Sequence, residues 1–168
     1  MSKKNAKEQL LEDIQAYLGA DLIESKDGYA FPNILINKDR LHETCRWLKN
    51  EQHFIYLVDV FGTDRFTSED RFEVIYNMVC LRTQERLFLK IRIEEENPVV
   101  PTVTDIWKSA NWNEREVFDM FGIQFEGHPD MRRMYMPEDY QYYPLRKEFP
   151  LIGVPGSIEL PSTTPDKA

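Results

Sequence analysis

The stretch FEVIYNMVCLRTQERLFLKIRI, residues 72–93, decides the fold class. Residues 86–93 alternate cleanly, with Leu87, Leu89, Ile91 and Ile93 on one side and Lys90 and Arg92 on the other, the period of a half-buried strand. Residues 72–82 make a second long strand, and Thr83, Gln84 and Glu85 supply the turn that joins the two as a hairpin. Upstream, residues 54–61 are apolar on both faces except for Asp59, the pattern of a strand buried inside a sheet, with Asp59 read as a strand-end or turn residue.

Residues 29–36 make a further strand, and Pro32 predicts an edge position or a bulge near its start. Asn37 then caps a helix whose inward stripe is Leu41, Cys45 and Leu48, flanked by Trp47. An amphipathic first helix is predicted over residues 7–18, where Leu10, Leu11, Ile14 and Leu18 recur at helical spacing and Gly19 can end it. A strand, a helix and a strand followed by an antiparallel meander predict an α+β domain: a mixed sheet with helices on one face, entered through a right-handed crossover.

At 168 residues the chain suits one domain plus a tail, divided as 1–133 and 134–168. Its net charge of −8 disfavours nucleic acid and anionic membrane as direct partners. The N-terminus has lysines but no apolar stretch behind them, so no secretory signal is expected, and no run is long enough for a membrane span. Cytoplasmic residence follows as the expectation. The two cysteines, Cys45 and Cys80, fit reduced core thiols better than a disulfide framework.

Beyond Asn97 the texture changes, because nine of the ten prolines lie there and must interrupt regular structure. Helices are predicted only over 104–110 and 113–121. Residues 134–168 could reach about 115 Å if extended, and carry apolar side chains such as Tyr135, Tyr143, Phe149 and Ile152. They are read as an extended arm lying along a partner protein, against the alternative of packing back on the chain's own domain.

The segment 113–149, NEREVFDMFGIQFEGHPDMRRMYMPEDYQYYPLRKEF, gathers charge, aromatics and proline. Asn113 with Glu116 reads as a capping box, Arg115 and Asp119 stand four apart on one helical face, Val117 and Phe121 on another, and Gly122 ends the helix. His128 and Pro129, with Asp130 after them, make a stiff turn before Arg132 and Arg133. Eight carboxylates among five cations suit a hydrogen-bonded lattice. Read as an enzyme, His128 is a general base oriented by Asp119 or Glu116, with the two arginines stabilising an anion. Read as structure, the arginines tie loops together or meet a partner's carboxylates. The structural reading is preferred, because no phosphate loop, metal-ligand spacing or nucleophile elbow accompanies the cluster. Trp47, Trp107 and Trp112 read as core or interface anchors.

This segment also carries a resemblance. Glu114, Arg115 and Glu116, then Asp119, the apolar pair Met120 and Phe121, His128, Arg132 and Met134 at their spacings resemble the signature of the 30 kDa, or C-type, subunit of respiratory complex I, the proton-pumping NADH:quinone oxidoreductase. The continuations MPEDY and PLRKEFP, with Pro137, Asp139 and Arg146, match the family's style. Phe118 and Tyr135 fit the pattern without marking a subgroup. The resemblance implies a small non-catalytic subunit of the peripheral arm, with no flavin, iron-sulfur cluster or quinone site of its own. It implies docking on the large D-type subunit, which helps shape the quinone pocket, at the cytoplasmic side of the bacterial inner membrane. It also implies an interface role for these residues together with Gly122, Pro129 and Arg133. Two cysteines agree with the absence of a cluster, which usually needs four thiolates. Similar subunits occur in membrane-bound hydrogenases, so an equivalent place in such a complex is the alternative, and a stand-alone hydrolase using His128 is the other.

Overall fold

A computed structural model describes residues 3–27, 31–67 and 69–150. The hairpin is at its centre. Strands β4 (Phe72–Cys80) and β5 (Glu85–Ile93) pair antiparallel from Phe72 opposite Ile93 to Cys80 opposite Glu85. Gln84 closes the turn at φ 59°.

Around the hairpin lie β1 (Leu22–Asp27), β2 (Pro32–Ile36) and β3 (Tyr56–Asp64), giving a mixed sheet of order β1-β2-β5-β4-β3. The β2–β5 pair is parallel and the others are antiparallel, so β2 and β3 point the same way with the hairpin between them. Two expectations are corrected here. The strand at β2 is interior, because LIESKD supplies an outer neighbour, β1, that its mixed composition does not announce. Pro32 is accommodated as the first residue of its strand, opposite Asp27, while pairing with β5 begins only at Asn33.

Strand β3 is the second correction, since it lies at the sheet edge rather than inside it. Its two apolar faces have different fates: Leu57 and Val60 enter the core, whereas Tyr56 and Phe61 meet solvent. Asp59 sits mid-strand at an irregularity after Leu57 instead of at a strand end.

Helices α1 (Lys3–Leu18) and α2 (Leu41–Asn50) bury Leu10, Ile14 and Leu18, and Leu41, Cys45 and Leu48, against Val74, Tyr76, Leu89 and Ile91. Alternate residues of β4 and β5 thus face the helices, and one sheet face carries the core. Each such leucine contributes about 1.5–3 kcal/mol by leaving water. Gly19 ends α1 at φ 54°, and the Asn37 side chain accepts the Asp39 N–H at 3.1 Å, capping the 3-10 turn that leads into α2. Trp47 stacks on Tyr17 at 4.2 Å. Cys45 and Cys80 are buried free thiols.

Past the sheet, β6 (Val99–Pro101) and β7 (Gln124–Glu126) pair in parallel and enclose α3 (Ala110–Phe121) between them in sequence. Residues 104–109 form turns rather than the expected helix. Their side chains bond outward to other elements: Trp107 Nε1 donates to Phe54 O at 3.2 Å and Ser109 Oγ to Leu57 O at 3.2 Å. Asn113 lies inside α3, so no capping box forms, and its amide donates instead to Asp59 at 3.0 Å.

Candidate docking lattice around the third helix

Helix α3 buries three charged side chains, Glu114, Arg115 and Asp119. Arg115 and Asp119 do not pair with each other. Arg115 donates from Nε to Arg132 O at 3.0 Å and from Nη2 to Arg133 O at 3.2 Å, with its guanidinium 4.9 Å from the Trp112 ring. Asp119 Oδ2 accepts the N–H groups of Met134 (3.0 Å), Tyr135 (2.6 Å) and Met136 (3.0 Å). One helix face therefore grips one loop by both of its backbone polarities, the cation taking carbonyls and the anion taking amides. Burial would raise the Asp119 pKa, but those amides and the Arg133 guanidinium outweigh it and hold the carboxyl below its ordinary range.

The arginines divide. Arg133 reaches Asp119 Oδ1 at 2.7 Å and Tyr142 O at 3.3 Å, and lies 5.0 Å from the Tyr143 ring. Arg146 donates to Phe121 O at 2.7 Å, satisfying a carbonyl at the end of α3, and lies 4.6 Å from the same ring. Arg132 is exposed and pairs with Asp130 at 2.7 Å. Gly122 adopts φ 76°, as its place after the helix predicts, and its N–H bonds Phe118 O at 2.8 Å. A Cβ there would also meet Tyr143 at 2.6 Å and Arg146 at 2.7 Å.

His128 stands apart from both proposed orienting groups. Its Nε2 faces Asn111 O at 3.1 Å and its Nδ1 accepts the Asp130 N–H at 3.0 Å, which requires the neutral tautomer protonated on Nε2. Burial lowers its pKa in keeping with that form. With Asp119 bound to the 134–136 amides and Glu116 exposed on α3, the general-base arrangement is not assembled. Pro129, Pro137 and Asp139 are exposed, and Pro137 O accepts the Tyr140 N–H at 3.0 Å to form a turn.

Glu114 is held differently from every other member. Its carboxyl meets Thr102 Oγ1 and accepts the Val103 N–H at 2.8 Å, tying α3 to the chain after β6. Burial pushes its pKa up to about 7, opposed by those two hydrogen bonds and assisted by the charge of Asp105.

A second knot escaped sequence reasoning. Arg71 donates to Asp64 from Nε at 3.1 Å and from Nη2 at 2.8 Å, and it also binds Glu95 and Glu148. The Lys147 N–H adds a bond to Asp64 Oδ2 at 2.8 Å. Burial opposes ionisation of Asp64, yet Arg71 and the Lys147 and Phe66 amides bring its pKa down to about 2. The available signal was positional: Asp64 and Arg71 bracket the link between two strands, where cross-strand partners meet. Residues 134–150 are thus bound to their own domain through Asp119, Phe121 and Asp64. The remainder of the expected arm, 151–168, lies outside the described residues.

Known proteins agree with the resemblance. Residues 34–155 match the family described as respiratory-chain NADH dehydrogenase, 30 Kd subunit. The NADH-quinone oxidoreductase C 2 subunit of Rhizobium meliloti (strain 1021) is 43% identical over 148 residues, spanning 83% of this chain and 79% of that protein. The NADH-quinone oxidoreductase C/D 2 subunit of Aquifex aeolicus (strain VF5) is 41% identical over 129 residues, 77% of this chain and 22% of that protein. The solved trypsin-resistant fragment (1-134) of Nqo5 is 36% identical with a TM-score of 0.65, over 74% of this chain and 98% of the fragment. With a family match over most of its length and a relative this similar, the chain belongs to the 30 kDa subunit family of respiratory-chain NADH dehydrogenase.

Proposed function

We propose that the chain is a non-catalytic peripheral-arm subunit of a proton-translocating NADH:quinone oxidoreductase, and that it docks on the D-type subunit and steadies the assembly through which electrons pass from NADH to quinone. The observation that carries this reading is the Aquifex relative with the joint C/D name, in which a segment like this chain is part of one protein. Covalent linkage gives two modules a high effective concentration and is compatible with function only where their docking geometry permits it. The α3 lattice supports the same reading. Its buried charges hold residues 132–146 in one shape, which presents Arg132, Tyr135 and Tyr142 outward as a preorganised surface.

In this reading the chain holds no cofactor, and flavin, clusters and quinone belong to its partners. It sits at the cytoplasmic side of the bacterial inner membrane and touches the membrane only through the complex. Among the described residues no helix is long and apolar enough to cross a membrane.

Affinity purification of the full chain from its native membrane, with identification of the co-purifying subunits, tests the proposal. The D-type subunit is expected to be retained most firmly as salt is raised. Co-purifying hydrogenase subunits would move the chain to the equivalent place in a hydrogenase-type complex. A chain that captures no partner, or that turns over NADH alone, overturns the reading.

A further inference from the structure

Between the edge strand β3 and helix α3 lies a notch that the lattice of buried charges does not use. Its floor is Gly62 and Phe121, packed so closely that a Cβ on the glycine would stand 2.8 Å from the ring. Its rim is Phe61 on the strand, Met120 on the helix and Leu145 on the chain that follows. Phe61 is 37% and Leu145 53% exposed, so the rim offers apolar surface to whatever enters. The Leu145 N–H bonds Met120 O at 3.1 Å and fixes that wall to the helix. The cavity measures about 100 Å³, room for one side chain, whereas a small-molecule site occupies about 300 Å³ or more.

The polar side chains of its wall are both carboxylates, Asp59 from the strand and Glu116 from the helix. Asp59 accepts at Oδ1 from the neutral amide of Asn113 at 3.0 Å, which leaves its charge uncompensated. Glu116 is exposed and pairs with no described residue. Arg146 and Lys147 follow Leu145, yet neither lines the notch, and Arg146 is turned to Phe121 O and the Tyr143 ring. Two carboxylates amid apolar walls are too few for a hard metal ion, which takes about six oxygens or more. They suit a side chain with a hydrocarbon stem and a cationic head. Arginine meets this better than lysine, because its fork can donate to carboxylates on two elements and it is the cation enriched at protein interfaces.

We infer that the notch between β3 and α3 receives one arginine side chain of the D-type subunit, its stem against Phe61, Met120 and Leu145 and its guanidinium between Asp59 and Glu116. Charge complementarity selects the occupant, and Leu145 joins the notch to the 132–146 segment that is proposed to meet that subunit. The chain does not supply this chemistry itself. All of its arginines are among the described residues and none lines the notch, while 151–168 offers only Lys167 as a cation. An apolar residue from that stretch would cover Asp59 and Glu116 without a counter-charge, which is unfavourable. A second copy would bring another net charge of −8 towards two carboxylates.

The inference rests on docking to the D-type subunit, as proposed above, and the test separates the two. Benzoylphenylalanine is installed at position 61, and in a second variant at position 145, in the full chain assembled in its native membrane. The D-type subunit should be captured at a peptide that contains arginine. Glu116→Gln should lower the fraction of the chain that the assembly retains at raised salt roughly tenfold, and Glu116→Arg should lower it further. Since Glu116 is exposed and unpaired, both variants should unfold in urea like the parent. Replacing the captured arginine of the D-type subunit by glutamate should restore retention of the Glu116→Arg chain. An intact assembly without a cross-link from either position overturns the notch and leaves the proposed function standing. So does a cross-link only to 151–168, to a second copy or to a peptide without arginine, retention unmoved by Glu116→Gln, or no recovery in the exchanged pair. An unmodified chain that captures no D-type subunit overturns both.

Discussion

Arg133 Nη1 lies 2.7 Å from Asp119 Oδ1 while the other oxygen of that carboxylate receives the amides of Met134, Tyr135 and Met136. The pair is almost wholly shielded from water, and each member is needed to neutralise the other. Asp119→Ala would leave a buried guanidinium and a run of unsatisfied amides. A loss of about 3–5 kcal/mol is expected on breaking a buried pair of this kind. Arg132→Ala removes only an exposed partner of Asp130 and should leave folding unchanged. Urea unfolding of the two variants side by side checks this. Equal loss in both would show that the lattice does not depend on burial.

Glu114 predicts an unusual pH response. Its folded pKa, raised to about 7, stands above the ordinary carboxylate value of 4.5, so between those two values the folded state keeps a proton that the unfolded state has released. Stability from this group therefore falls as pH rises from about 4.5 to about 7 and is level above that. The loss is on the order of 3 kcal/mol, from about 1.4 kcal/mol for each pKa unit. Asp64 and Asp119 act in the opposite sense, since their lowered values contribute stability that is lost as the solution is acidified. Glu114→Gln keeps the hydrogen-bonding shape without the proton. Unfolding free energies at about pH 5 and about pH 8 should converge in the variant and differ in the parent. Parallel behaviour of the two proteins would refute it.

Gly62 tests the seat of α3 on β3. A Cβ at this position would stand 2.8 Å from Phe121 Cδ2 and 2.9 Å from Cε2, with Val117 Cγ1 at 3.3 Å. At those distances the ring or the helix that carries it must shift. Gly62→Ala should cost about 1–3 kcal/mol. Combined with Phe121→Leu the total should be less than the sum of the two single losses, because the clash vanishes with the ring. A strictly additive cycle from thermal or urea unfolding would mean that the contact is relieved elsewhere.

Much of this molecule could be read from periodicity. The alternation of Leu87, Leu89, Ile91 and Ile93, the stripe of Leu41, Cys45 and Leu48, and Gly122 after its helix each record a local constraint that the fold obeys. What could not be read depended on partners distant in sequence. Edge and interior were exchanged between β2 and β3 because apolar content reports burial of a side chain, not which strand stands beside it. Arg115 and Asp119 have the spacing of a helix pair, yet backbone groups some fifteen residues further on bind each of them in place of the other. The want of accompanying catalytic parts marks His128 as a structural residue, but its actual partners, Asn111 O and the Asp130 N–H, could not be named from the sequence.

The knot at Arg71 offers the last prediction. Its guanidinium holds Asp64 with two parallel hydrogen bonds and reaches Glu148, while Asp64 takes the Lys147 N–H, so the 147–148 stretch is fastened to the end of the sheet through one fork. A lysine has the charge but not the fork, and its single ammonium cannot span the same acceptors. Arg71→Lys should therefore behave more like Arg71→Ala than like the parent, with both destabilised by roughly 3–5 kcal/mol if Asp64 stays buried and unpaired. Release of the fork should also expose the backbone around Lys147, so trypsin should cut after Arg146 or Lys147 sooner in both variants. Full rescue by lysine, in unfolding and in cleavage rate alike, would mean that charge alone fastens this segment and that the geometry of the fork is incidental.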